Sequence, residues 1–191
     1  MRIVDCILGD EADTSEREIV EFGTKQLIVI FVGMIVAVLV AVSTKEIVRT
    51  LILLLCMIPL RQNAGGFHLK SRKNCTVVST FILIGMVMII KYVTISPILS
   101  IVLWVISSVP IVLFAPIGNT NRELDEIEVK VYGRRTKIIW IAESMLFLFL
   151  MLMKSSDWYI IILISVVLTG LLVFIEYIRE RAYIRNHSKC N

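Results

Sequence analysis

Residues 61–75 read Arg61-Gln62-Asn63-Ala64-Gly65-Gly66-Phe67-His68-Leu69-Lys70-Ser71-Arg72-Lys73-Asn74-Cys75, and apolar segments flank them on both sides. The stretch holds one of the chain's two histidines, a cysteine seven residues later, a Gly-Gly pair and four Lys or Arg residues. A short polar insert between long apolar runs is the pattern of a loop joining two membrane-crossing helices. It is also where a membrane protein meets water, and so the place to look for chemistry.

The whole composition agrees with that pattern. Of 191 residues, 57% are hydrophobic, and the mean hydropathy is +0.84. A soluble core of this size could not hide so much apolar surface. We expect an all-α polytopic membrane protein, a single integral domain over 1–191 with about six transmembrane helices. The apolar segments run approximately 26–43, 46–60, 76–93, 95–115, 137–153 and 158–178. The second is the weakest, being short with Lys45, Glu46 and Arg49 at its start, whose side chains can snorkel to the interface.

Residues 1–25 are rich in acids and lack the basic-then-apolar order of a signal peptide. Ile3, Val4, Ile7 and Leu8 have helical spacing, and Ser15 with Glu18 matches a capping box ahead of Ile19, Val20 and Phe22. Either short amphipathic helices lying at the membrane surface or a solvated amino-terminal tail is expected there.

Orientation follows from the cations. Six crossings put the amino terminus, the 61–75 loop, the 116–136 loop and the carboxyl tail on one side. With Lys137 included, that side carries 16 of the 20 Lys and Arg residues, and the other carries Lys45, Arg49, Lys91 and Lys154. The positive-inside rule then makes both termini and both long loops cytoplasmic. Because the cations flank apolar spans and the net charge is only +4, no nucleic-acid partner is expected. Cys6, Cys56, Cys75 and Cys190 form no C-x-x-C pair and read as separate reduced thiols, not a disulfide framework.

The 116–136 loop has its own order. Pro116-Ile117-Gly118-Asn119 reads as a turn, and Thr120 with Glu123 as a capping box. Leu124, Ile127 and Val131 fall on one helical face, with acids early and bases late, as a helix dipole prefers. The loop is either a surface helix anchoring the next span or one whose basic end holds an acidic peptide. Glu143, about two turns into the fifth span, is an ionisable group at membrane depth, where such groups usually face a polar interior; pairing with a cation, protonation and orienting a catalytic group are all open to it.

His68 and Cys75 are the one His–Cys pair close in sequence at a membrane surface. A histidine near a thiol favours the thiolate and later protonates a leaving amine. Seven residues on a straight helix would leave the two about 10 Å apart along the axis. They can meet only if the chain bends between them, with Cys75 opening the third span. Gly65 and Gly66 permit unusual backbone angles just upstream, while Lys70, Arg72, Lys73 and a helix amino terminus make the site electropositive. The competing readings are a small interfacial cysteine, a solvated histidine and a basic run serving only as a topology signal. A zinc site from His68, Cys75, His187 and Cys190 would have spacings unlike usual ligand sets; neither metal nor cofactor is expected.

Arg61, Gly65-Gly66-Phe67-His68 and Cys75, with the apolar spans and the later Ala115-Pro116 loop, resemble the accessory gene regulator B (AgrB) family over essentially the whole chain. The resemblance implies a cysteine endopeptidase of the bacterial cell membrane that cuts the AgrD quorum-sensing precursor on its carboxyl-terminal side. It implies Cys75 as nucleophile and His68 as base, with Arg61 and Gly66, beside Gly65, supporting the site. An acyl-enzyme thioester would be resolved by a side chain of the peptide into a thiolactone or lactone. Lys130, Arg134 and Arg135 match a family segment implicated in processing, here split rather than compact. A homodimer is implied as well, and six short helices leave little room to enclose a substrate. A small neighbouring reading frame is expected to encode a precursor with an internal Cys or Ser and an acidic carboxyl-terminal region. Two other classes stay open: a small transporter or accessory protein with Glu143 and Arg49 as an intramembrane pair, and a thiol acyltransferase using the same Cys–His pair.

Overall fold

The computed structural model describes residues 14–65, 72–118, 125–153 and 156–187. They form six helices: α1 (Thr14–Thr44), α2 (Ile47–Ala64), α3 (Arg72–Tyr92), α4 (Pro97–Phe114), α5 (Glu126–Leu152) and α6 (Ser156–His187). No strand occurs among the described residues, so the all-α expectation holds. By length and apolarity four helices can cross a membrane: Ile47–Ala64, Cys75–Tyr92, Pro97–Phe114 and Trp158–Ala182. The apolar part of α1, Phe31–Thr44, is shorter. The apolar half of α5 follows a charged half. The count of about six spans is therefore matched by the number of helices and only roughly by their lengths.

Three boundaries differ from the sequence reading. The short helix expected through Ile19, Val20 and Phe22 is not separate, because α1 runs unbroken from Thr14 into the first span. Gly23 is the weakest helix former between them, and one glycine is not a break. The segment 3–8 lies outside the described residues. The second span does not stop at residue 60; α2 continues to Ala64 and takes Arg61 into its last turn. Pro59 lies inside α2, and the Asn63 side chain donates to its carbonyl at 2.8 Å. Helix α5 is capped at Asp125, whose backbone N–H donates to the Glu128 carboxylate, rather than at Thr120, which lies outside the described residues.

Helix α6 is the centre of the bundle and packs on α2, α3, α4 and α5. Residues 159–164 and Val166 are buried on every side, as a helix apolar all round must be. In lipid, apolarity alone does not hold helices together; close packing and interhelical hydrogen bonds do. Gly170 supplies the close approach, since a β-carbon there would overlap the Ser107 carbonyl oxygen of α4. The Trp104 and Phe147 rings stack at 4.4 Å, and Tyr159 meets Phe147 edge-on. Trp140 donates to the Ser108 hydroxyl at 3.0 Å, joining α5 to α4. Thr136, Ser100 and Thr169 each donate to the carbonyl one turn back, so these buried hydroxyls carry no unmet donor. Large apolar side chains such as Phe31, Phe81, Ile98 and Leu113 face outward, as a lipid-facing surface requires.

The helix ends sort into two layers. At one end the Lys91 ammonium of α3 donates to the Thr44 carbonyl of α1 at 2.8 Å, and the Tyr159 hydroxyl of α6 to the Ile95 carbonyl. At the other end the last turn of α2, the first turn of α3, the end of α4 and residues 173–177 of α6 converge. That second layer holds the site.

Candidate active site

The site is built on the termination of α2. Leu60 and Ala64 are fully buried, and Gly65 ends the helix with φ 73° and ψ −151°, a combination essentially restricted to glycine. A second reason requires glycine. Ile117 pairs with Gly65 as an isolated parallel bridge, its N–H donating to the Ala64 carbonyl at 3.2 Å. A β-carbon on Gly65 would overlap the Ile117 carbonyl oxygen. The 115–117 segment thus lies directly on the end of α2, and Ala64, Ile117 and Val173 form a small core with Phe114 and Tyr177 around it.

Arg61 sits one turn before Gly65, and its guanidinium donates to the Gly65 carbonyl. The half-buried arginine lies within electrostatic reach of the Cys75 thiol and of the Glu176 carboxylate. Cys75 occupies the first turn of α3, half-buried and without a disulfide partner. The expectation of a thiol at a helix amino terminus is met. The helix carrying it begins at Arg72, after α2 has ended at Ala64, so no single straight helix joins the two regions. Gly66 and His68 lie outside the described residues, and the approach of His68 to Cys75 rests on residues not described.

Lys130, Arg134 and Arg135 are exposed near the start of α5. Their helix α5 is tied to residues 115–117: Pro116 packs on Gly133, where a β-carbon would stand 3.2 Å from the proline Cδ. The basic face and the Gly65 turn therefore share residues 115–117 as a common support.

Other predicted positions fall elsewhere. Arg49 pairs with Glu46 at 3.5 Å, and neither oxygen of the buried Glu143 accepts a hydrogen bond. The Glu143–Arg49 intramembrane pair is not formed. Arg49 reaches back to Glu46 at the start of its own helix, whereas Glu143 is buried midway along α5. Of the four residues considered for zinc, His68 and Cys190 lie outside the described residues. Among the described residues no three His, Cys, Asp or Glu side chains cluster as a metal site would require.

One residue at the site escaped sequence reading. Glu176 looks like an ordinary charge near a span end, yet it is 1% exposed. The signal was present: Ser165, Thr169 and Glu176 are spaced by four and seven, one buried polar face along an otherwise apolar helix.

No curated protein and no solved structure matches the chain. The family model of accessory gene regulator B matches residues 2–175, which include Arg61, Gly65 and Cys75. The chain belongs to the accessory gene regulator B family, membrane proteins involved in processing the AgrD quorum-sensing precursor.

Proposed function

We propose that the protein is a membrane cysteine endopeptidase that cleaves an AgrD-like precursor on its carboxyl-terminal side and promotes its cyclisation. The observation that carries this reading is the placement of Cys75 in the first turn of α3 beside Arg61. An anion at that position meets the unpaired N–H groups of a helix start and a guanidinium. The tetrahedral oxygen formed after sulfur attack is anionic, and such donors suit it.

The reaction runs in two halves. His68 takes the thiol proton, the Cys75 sulfur adds to the scissile carbonyl, and the C–N bond breaks as His68 returns the proton to the leaving amine. The resulting thioester keeps most of the acyl reactivity. A thiol or hydroxyl within the peptide then gives its proton to His68 as it attacks the acyl carbon, the C–S bond breaks, and Cys75 leaves as thiolate and takes that proton back from His68. Water must be kept from the thioester for ring closure to win over hydrolysis, which suits a site where helix ends meet the membrane surface. Lys130, Arg134 and Arg135, exposed on α5, complement an acidic carboxyl-terminal region of the peptide. Both termini and these loops face the cytoplasm, and the working unit is a homodimer.

Cys75→Ala, Cys75→Ser and His68→Ala should each abolish cleavage of the co-expressed precursor while the protein still inserts. Continued processing by Cys75→Ala would sink the proposal.

A further inference from the structure

Glu176 has no part in the scheme above, yet it is the most deeply buried charged residue among those described, at 1% exposed against 6% for Glu143. The carboxylate of Glu180, one turn further along α6, is exposed. A buried carboxylate is costly unless a cation answers it. Arg179 supplies one contact, at 3.6 Å from Oε2, an oxygen that accepts no hydrogen bond. Arg179 is itself one-third exposed, and a pair with a neighbour on the same helix face could form at the surface without burying the acid. The packing on either side of Glu176 explains its depth. Val173, one turn earlier, is in the core with Ala64 and Ile117, and Tyr177 stacks on Phe114 at 3.9 Å. These contacts press this turn of α6 against the end of α2, where Arg61 reaches the Gly65 carbonyl.

We propose that Glu176 is a positioning residue for the peptidase reaction, the buried counter-charge that holds the Arg61 guanidinium on the Gly65 carbonyl and beside Cys75. This rests on the peptidase reading of Cys75. Arg61 is the member that faces the reacting sulfur; Glu176 acts through it.

The test uses the full chain in bilayer vesicles with the precursor of the neighbouring reading frame made as a synthetic peptide. Glu176→Gln keeps size and shape and removes the charge. It should lower kcat at least about ten-fold with KM within about two-fold, because an unrestrained arginine costs orientation rather than substrate affinity. Glu176→Asp should recover most of kcat, and Glu180→Gln, at the exposed neighbour, should match the unaltered protein. A second readout needs no substrate. Glu176→Gln should lower the melting temperature of the detergent-solubilised protein by about 5 °C or more, through the unanswered cation left behind. Arg61→Gln combined with Glu176→Gln should melt no lower than Glu176→Gln alone, since the two act as one unit. Wild-type kcat in Glu176→Gln, a loss confined to KM, no recovery in Glu176→Asp, or additive melting losses would each overturn the proposal. If Glu176→Gln does not accumulate in the membrane, restoration of accumulation by the double variant supports it and failure to restore overturns it. Cleavage by Cys75→Ala would instead remove the peptidase reading, and the melting comparison would still decide the Arg61–Glu176 coupling.

Discussion

Alanine at position 65 is the sharpest test of how the site is held. Gly65 has φ 73° and ψ −151°, and a residue with a side chain pays about 1–3 kcal/mol to enter that region. A β-carbon would overlap the Ile117 carbonyl oxygen and stand 3.2 Å from the carbonyl carbon and 3.3 Å from the nitrogen. All three atoms are backbone, so no side chain can swing aside; the 115–117 segment must move. That movement breaks the Ile117 N–H to Ala64 carbonyl bond, now 3.2 Å, for about another 1 kcal/mol. The sum is about 3 kcal/mol, or a melting temperature lower by about 6–12 °C for a chain of this length. Processing should fall further than stability, because the Gly65 carbonyl is what Arg61 binds. The assay is thermal melting in detergent beside cleavage of the co-expressed precursor. Gly33→Ala and Gly85→Ala serve as references: nothing lies within 4 Å of a β-carbon at either, and alanine in a helix interior should be neutral or stabilising by about 0.5–1 kcal/mol. If Gly65→Ala melts and processes like these two, the argument that Ile117 clamps the end of α2 is wrong.

Three other outcomes follow from the packing. Gly170→Ala forces α4 off α6 because its β-carbon overlaps the Ser107 carbonyl, and it should cost at least about 2 kcal/mol in melting while leaving the cleavage position unchanged. Glu143→Gln should melt at or above the unaltered protein and keep its processing rate, since neither carboxylate oxygen has a partner to lose; a collapse of processing would give Glu143 a part in the reaction. Reversing charge at the exposed Lys130 and Arg134 together should raise KM for an acidic precursor by about ten-fold or more, with an effect that shrinks as salt is added and a kcat little changed.

Much of this architecture was legible because helices in lipid must satisfy their own backbone, so apolar length maps onto helical span. Each of the six apolar segments lies on its own helix to within one or two residues at its ends. Boundaries were less legible for reasons particular residues show. Arg61 reads as loop because it is charged, but its aliphatic stem and a carbonyl partner one turn away let it finish α2. Ile19 to Phe22 read as a separate helix because a capping box precedes them, but a capping pattern marks a possible start and nothing marks a stop before the span. Cys75 was readable because polar, basic residues frame it. The burial of Glu176 was not, because it comes from what Val173 and Tyr177 pack against, and those partners, Ala64, Ile117 and Phe114, lie over fifty residues away in sequence.

The location of the site at helix ends has a physical logic. A reaction on a peptide needs a few groups held to a fraction of an ångström, and rigid elements hold them better than loops. Here Arg61 is fixed by the last turn of α2, Cys75 by the first turn of α3, and Gly65 by the backbone of Ile117. The tie from Ile117 runs on through Pro116 to Gly133 of α5, so the basic face at Lys130 and Arg134 is referenced to the same turn as the thiol. In α6, one helix turn packs Val173 on that assembly and the next buries Glu176. The most buried helix of the bundle therefore reaches the site, and it does so through the side chains of Val173 and Tyr177. On the proposed reading, a peptide's tail on the basic face must be kept at a set distance from Cys75, and the contacts of Gly65 and Gly133 with residues 115–117 are a direct way to keep it.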